Sequence, residues 1–311
     1  VIVLVCPGQG SQTPGFLTPW LELPGAREQL ERYSAASGVD LIEHGTVSDA
    51  DTIRDTAIAQ PLIVAASLLA LSALRDAAPD AAIGGVAGHS VGEIAAAAAT
   101  GVLSDTDALT FVAARARAMA AAAAVVPTGM SAVLGGGDEV VETAAAAVGL
   151  SPANYNGGGQ IVVAGEFDGL EALAATPPAG ARVIPLQVAG AFHTRYMESA
   201  RETLKSVAAE VTPADPTLPL WTNNDGRQVT SGQEFLDLLV TQVASPVRWD
   251  RCMESFAEAG ITGLIELAPA GALVGLARRG LKGVPTVAIK SPSDIAAAVE
   301  LLTAHAEGNA S

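Results

Sequence analysis

Ile83-Gly84-Gly85-Val86-Ala87-Gly88-His89-Ser90-Val91-Gly92-Glu93-Ile94-Ala95-Ala96-Ala97-Ala98 runs from a short apolar stretch, through a glycine-flanked serine, into a segment of helical character. A serine between two small residues on a strand-to-helix turn is held in a strained conformation. Its hydroxyl projects above the sheet and its backbone lies near the positive end of the helix. That makes Ser90 a candidate nucleophile. Glycine-flanked serines also occur in plain turns, so Gly88-His89-Ser90-Val91-Gly92 gains meaning only from partners elsewhere in the chain.

Outward from this turn, short apolar strands alternate with longer helical stretches from Val1-Ile2-Val3-Leu4-Val5-Cys6 to about Ala124. This is the pattern of a parallel sheet covered by helices on both faces, so the fold class is α/β. The texture changes from Met130 to Val188. Met130 to Leu134, Val148-Gly149-Leu150 onward, Gln160 to Ala164 and Arg182 to Leu186 read as strands, with helices at Asp138 to Ala147 and Gly169 to Ala175. The order strand, helix, strand, strand, helix, strand is a split βαβ arrangement. It predicts a small subdomain over 127–189, inserted into a large domain made of 1–126 and 190–311. The large domain resumes with a helix from Arg195 to Glu210, a proline-rich crossing at Pro213 to Pro219, the strand Leu220-Trp221-Thr222, and a final helix, strand and helix. Glu307 to Ser311 is expected to fray.

With 311 residues, 50% hydrophobic and 16% charged, the chain can bury a large core. Its net charge of -16 opposes nucleic-acid binding, which needs clustered Lys and Arg. Cys6 and Cys252 lie far apart and form no metal-type pair, which argues against a disulfide scaffold and a thiolate zinc site. The longest purely apolar stretch, Ala118 to Val126, falls short of the roughly 18 residues of a membrane span. The first residues lack the basic lead of an export signal, so they read as a buried strand. A cytoplasmic location is expected, and the lack of an apolar heptad favours a monomer. The loop Pro7-Gly8-Gln9-Gly10-Ser11-Gln12 lacks both the Lys-Ser/Thr of a P-loop and the third glycine of a dinucleotide fingerprint, so nucleotide binding is rejected.

A serine nucleophile needs a base, and four histidines are available: His44, His89, His193 and His305. His305 falls in the polar C-terminal tail and His44 on a helix-to-loop edge. His89 adjoins the serine, where neighbouring side chains on a sharp turn point apart. His193 sits in the loop Gly190-Ala191-Phe192-His193-Thr194, where the chain re-enters the large domain, and such loops often host catalysis. Further upstream, Ser104 and Asp107 have the spacing of a helix cap. On that helix Phe111, Val112, Arg115, Ala116 and Met119 share one face, and Thr110, Ala113, Ala114, Arg117 and Ala121 the other. Arg115 thus lies on the apolar side. A guanidinium is costly to bury unpaired, so it should meet an internal carboxylate or an anionic ligand, the other reading being an arginine that snorkels at the helix edge.

Taken together, Gly8-Gln9-Gly10-Ser11-Gln12, Gly88-His89-Ser90-Val91-Gly92-Glu93, Arg115 and Phe192-His193 resemble the malonyl-CoA:acyl-carrier-protein transacylases and the related acyltransferase domains of polyketide synthases. The resemblance continues through Asn154-Tyr155-Asn156 to Gln160, Gln242 before Ser245-Pro246-Val247-Arg248-Trp249, and Glu266-Leu267-Ala268-Pro269. It implies an α/β-hydrolase-like core with a small ferredoxin-like insertion. It also implies that Ser90 attacks the thioester of malonyl-CoA, that His193 takes its proton, and that the backbone amides of Gln9 and Val91 hold the oxyanion. The carbonyl of Gln242 would orient His193 in place of an acid, and Arg115 would hold the malonyl carboxylate as a bidentate pair. Phe192, Met119, Asn156 and Gln160 would border the substrate pocket. For Asn156 and Gln160 the residues alone leave a second reading open, in which they satisfy the turn at Gly157-Gly158-Gly159.

The resemblance further implies a ping-pong transfer to the phosphopantetheine thiol of acyl carrier protein, with no metal or redox cofactor. Arg195, Arg201, Lys205, Arg278, Arg279 and Lys282 could form a basic face for an acidic carrier. Phe192 before His193 matches the malonyl-type signature, although Gly190 replaces the histidine usual at the first position of that tetrapeptide. Two other functions remain open on the same motif. One is a serine acyl hydrolase, which has no need of Arg115, and the other is a noncatalytic carrier-docking module.

Overall fold

The computed structural model describes residues 1–308, with side chains through residue 304. The chain opens with β1 (Ile2–Cys6) and passes through α1 (Ala26–Ser37), α2 (Leu41–Thr46) and α3 (Thr56–Ala77) to β2 (Gly85–Gly88). Helices α4 (Gly92–Ala99) and α5 (Asp105–Ala123) follow. The middle segment holds β3 (Thr128–Gly135), α6 (Asp138–Ala147), β4 (Ser151–Gly157), β5 (Gln160–Glu166), α7 (Phe167–Ala175) and β6 (Ala181–Leu186). Then come α8 (Glu198–Ala208), β7 (Leu220–Trp221), α9 (Gly232–Gln242), β8 (Val247–Arg248) and α10 (Trp249–Glu258). The chain finishes with β9 (Gly263–Glu266), α11 (Ala272–Gly280), β10 (Thr286–Ala288) and α12 (Ile295–Gly308).

Two five-stranded sheets organise these elements. The first has the order β10-β9-β1-β2-β7 and is parallel throughout, with Val3 opposite Gly85 and Cys6 opposite Gly88. Every residue of β1 and β2 is buried, as expected of a parallel sheet covered on both faces. The second has the order β6-β3-β5-β4-β8. Its first four strands are antiparallel neighbours, and β8 joins β4 in parallel. This last strand arrives from beyond the segment that supplies the other four, which sequence reading did not foresee.

Other differences have local causes. The strand expected from Val148 starts at Ser151, because Val148 and Gly149 still close α6 through hydrogen bonds to Ala145 and Ala146. The helix expected from Arg195 begins as a 3-10 turn, Arg195–Met197, and becomes α-helical only at Glu198. Ala113, assigned to the outer face of α5, is 1% exposed, because α5 packs against α3, α1 and α8 together. The expected frayed end is described only through Gly308, within α12, and residues 309–311 lie outside the described residues. His305 falls within α12.

Helix α3 is the longest apolar element. It has 22 residues, and an 18-residue stretch of it has a mean hydropathy of 2.0, long and apolar enough to cross a membrane, a length hidden from a search for purely apolar runs by Gln60, Ser67 and Ser72. Its 78% burial inside the fold shows where those faces are spent: it is a core helix. Ser67 Oγ donates to the Ala268 carbonyl at 2.8 Å, which satisfies one of these polar interruptions.

Candidate active site

The turn between β2 and α4 is shaped by two close approaches. A Cβ on Gly88 would lie 2.0 Å from the carbonyl carbon of Gly92, and one on Gly92 would lie 2.1 Å from the Cys6 oxygen. Only glycine fits at either position, because β1 and the start of α4 press against the turn. His89 N–H donates to the Cys6 carbonyl at 2.9 Å, and the next residue, Ser90, is forced to φ 54°. A left-handed serine is uncommon and carries strain, sustained here by Asn223. Its Oδ1 accepts the Ser90 N–H at 2.7 Å, and its Nδ2 donates to the Gly88 carbonyl at 2.7 Å.

Beyond Ser90 the amides of Gly92, Glu93 and Ile94 enter the first turn of α4. No described residue accepts from the Val91 amide. In the loop after β1, the Gln9 side chain donates to the Arg54 carbonyl at 3.3 Å, and Gln12 ties Gly10 to Ile53. Gln9, Gly10 and Ser90 line one cavity of about 410 Å³.

His193 is also left-handed, at φ 62°, and its amide donates to the Val243 carbonyl at 3.0 Å. That backbone brings the imidazole down onto Ser90. Nδ1 lies 2.8 Å from the Gln242 carbonyl, which can only accept, so Nδ1 carries the proton. Nε2 is then a bare acceptor, 2.7 Å from Ser90 Oγ. Burial, and after it the positive charge of Arg115, push the imidazole down to about 3, so it is neutral at ordinary pH.

Arg115 is 1% exposed. Its NH1 donates to Gln60 Oε1 at 2.7 Å, and its NH2 donates to Gln242 Oε1 at 2.7 Å and to Ser90 Oγ at 3.3 Å. Neutral amide oxygens hold the guanidinium, and among the described residues no carboxylate bonds to it. Burial pulls it down to about 10, against the opposing effect of the Glu93 charge. Gln242 thus meets the site twice, through its carbonyl at His193 and its side chain at Arg115.

Phe192, Asn156 and Gln160 line the cavity beside His89 and His193. Asn156 Oδ1 lies 2.8 Å from His89 Nε2, so a strand of the second sheet is tied to the turn that carries Ser90. Gln160 Oε1 accepts from Arg279 at 3.0 Å, and of the six cations read as a basic face only Arg279 lines the cavity. Arg201 is paired instead with Glu198 at 2.9 Å. Met119 does not border the cavity. It is 1% exposed behind Gln60, whose Nε2 sits 3.5 Å from its sulfur, because one helical turn carries it past Arg115 into the core. His44 pairs with Ser48 away from the cleft.

Three polar residues of the site escaped sequence reading: Gln60, Asn223 and, as a partner of Gln242, Glu93. Gln60 carried a signal, as an amide inside the apolar run Ala57-Ile58-Ala59-Gln60-Pro61-Leu62-Ile63. Asn223 carried none.

A left-handed serine backed by a neutral imidazole and a fixed cation suits acyl transfer onto the hydroxyl. Residues 3–303 match the family described as the acyl transferase domain. The chain belongs to the acyl transferase family. Among curated members of that family it is 50% identical over 299 residues to the malonyl CoA-acyl carrier protein transacylase of Mycobacterium bovis, covering 95% of this chain and 98% of the relative. A crystal structure of the corresponding protein from Mycobacterium tuberculosis superposes with a TM-score of 0.92 at 49% identity, over 97% of this chain and 99% of that one. A further acyl transferase, a malonyl-transacylase solved in complex with its type II PKS acyl-carrier protein, matches with a TM-score of 0.89 at 28% identity. That match covers 96% of this chain and 99% of that one.

Proposed function

We propose that this acyltransferase moves a malonyl group from malonyl-CoA to the phosphopantetheine thiol of acyl carrier protein through a malonyl ester on Ser90. The observation that carries the reading is the Arg115 guanidinium, which reaches Ser90 Oγ at 3.3 Å while neutral amides hold its other side. A cation built into the floor of the site selects an acyl group that ends in an acid. The identity to relatives named malonyl CoA-acyl carrier protein transacylase supports the same substrates, and the solved complex with an acyl-carrier protein supports the partner.

In the first half-reaction Ser90 Oγ attacks the thioester carbonyl as its proton passes to His193 Nε2, 2.7 Å away. The Gln9 and Val91 amides are the donors for the oxyanion, each worth about 3 to 4 kcal/mol when such a donor is removed. The C–S bond breaks, the CoA sulfur takes the proton from His193, and the ester remains. In the second, the carrier thiol gives its proton to His193 and attacks the ester, and Ser90 Oγ leaves with that proton. The Gln242 carbonyl holds the Nδ1 proton throughout, so a dyad suffices. The malonyl carboxylate displaces the long contact from Arg115 to Ser90 and neutralises the charge that weakens His193 as a base. The chemistry calls for no metal or redox cofactor.

The same reading takes β3 to β6 as a ferredoxin-like insertion, bounded at 127–189, on an α/β-hydrolase-like core. The order β-α-β-β-α-β and the antiparallel neighbours β6-β3-β5-β4 support it. Two buried free thiols, Cys6 and Cys252, suit a reducing cytoplasmic setting.

The test is intact-protein mass after brief exposure to malonyl-CoA. The reading expects one malonyl adduct on Ser90, discharged by holo carrier protein and slowly by water. Rapid discharge by water with no transfer to the carrier would make the protein a hydrolase, and no adduct would make it a docking module.

A further inference from the structure

Glu93 is a buried carboxylate beside the nucleophile that the proposed chemistry leaves unused. It lies in the first turn of α4, three residues after Ser90, and is 1% exposed. Its Oε1 accepts the Asn223 N–H at 2.7 Å, and its Oε2 accepts from Gln242 Nε2. The same Nε2 donates to the Ser90 carbonyl at 3.0 Å. Both protons of that amide nitrogen are therefore committed on one side. Gln242 Oε1 has to face the other way, and there it accepts from Arg115.

No described carboxylate bonds directly to Arg115, yet a guanidinium buried without any counter-charge is costly. Glu93 supplies that charge without touching it. A carboxylate in direct contact would close the guanidinium fork to an incoming acid. We propose that Glu93 is a positioning residue, the counter-charge of Arg115 at one remove through the Gln242 amide, which leaves the guanidinium able to take a substrate carboxylate. The inference rests on Arg115 being the partner of the malonyl carboxylate. Mutual effects agree with the geometry, since the Glu93 charge raises Arg115 and the Arg115 charge lowers Glu93, in each case against a larger effect of burial.

Replacing Glu93 with Gln keeps the shape and inverts the donor pattern. The new amide oxygen must serve the Asn223 N–H, so its NH₂ meets the NH₂ of Gln242. Relief comes when the Gln242 amide turns over, which sets a donor against Arg115. Ser90 loading is measured with malonyl-CoA and acetyl-CoA in Glu93→Gln, Gln242→Met and Arg115→Ala, with thermal melting of each. The malonyl-to-acetyl rate ratio is expected to fall about tenfold or more in Glu93→Gln, and likewise in Gln242→Met, which cuts the link while keeping the main-chain carbonyl. Should Glu93→Gln not fold, Gln242→Met alone decides. Parallel loss of both acyl groups, or an unaltered ratio, overturns the proposal. If Arg115→Ala itself leaves the ratio intact, the assignment of Arg115 fails and this inference falls with it. A lowered ratio in Arg115→Ala beside an unaltered one in the other two removes the Glu93 inference alone.

Discussion

Ser90 Oγ and His193 Nε2 stand 2.7 Å apart, and both residues sit in the left-handed region, at φ 54° and 62°. Two strained residues facing each other across 103 positions of chain are sustained only by what surrounds them. Asn223 holds the first, with the Cys6 carbonyl fixing the preceding His89 amide, and the main chain of Gln242 and Val243 holds the second. Removing either partner of the dyad is expected to slow malonyl loading at least about a thousandfold while the fold survives. Single-turnover loading of Ser90→Ala and His193→Ala, with circular dichroism of both, checks this.

The turn is as sensitive as the residues it carries. Gly92→Ala would place a methyl group 2.1 Å from the Cys6 oxygen, so β1 and α4 must separate. Such overpacking costs about 1 to 3 kcal/mol. Urea midpoints are expected to drop accordingly, and the folded fraction should load more slowly than wild type because Ser90 shifts from His193. A variant that keeps both its midpoint and its rate would show that the turn tolerates a side chain.

Why some of this was legible and some was not follows from how each residue is specified. Helix period alone put Arg115 on the buried face of α5, because four apolar neighbours share that face. The Ser90 turn is a local steric problem solved by two glycines, so it is visible in five residues. Gln60, Asn223 and Glu93 matter only because α3, the segment after β7 and α4 converge on the site, and although Gln60 stands out in its apolar run, nothing near any of them announces partners 55, 133 and 149 positions away. Strand β8 is two residues long, too short for alternation to show, and its pairing is set by β4. Met119, which the resemblance implies at the pocket, shares the buried face of α5 with Arg115 but packs behind Gln60, outside the cavity that Ser90 and His193 line.

Phe192 is 6% exposed and lines the cavity next to His193. An aromatic ring at that place leaves little room for a branch on the α-carbon. Phe192→Ser should raise methylmalonyl loading relative to malonyl, within the roughly 1 to 3 kcal/mol that one methyl group is worth. Competition between the two CoA esters, read by adduct mass, measures the change. A ratio that stays put would assign the discrimination to another wall.

Two buried groups give opposite pH signatures, and substitution separates them. His193 is held at about 3 against an ordinary 6.5, so between these values the unfolded chain binds the extra proton. Its contribution is complete above pH 6.5 and is lost as pH falls toward 3. Glu93 is pushed by burial from 4.5 to about 7, so the native state binds the extra proton across that window, and deprotonation as pH rises destabilises the fold. Urea unfolding between pH 4.5 and 8 should show wild type losing stability relative to His193→Gln as pH falls below 6.5. Relative to Glu93→Gln, it should lose stability as pH rises from 4.5 to 7. The same imidazole is already neutral at pH 6, so acetyl loading, which makes no use of Arg115 or its Glu93 counter-charge, should not halve near pH 6.5 as it would with an ordinary histidine base. A half-maximal rate at pH 6.5 would mean that neither the burial of His193 nor its nearness to Arg115 sets its basicity.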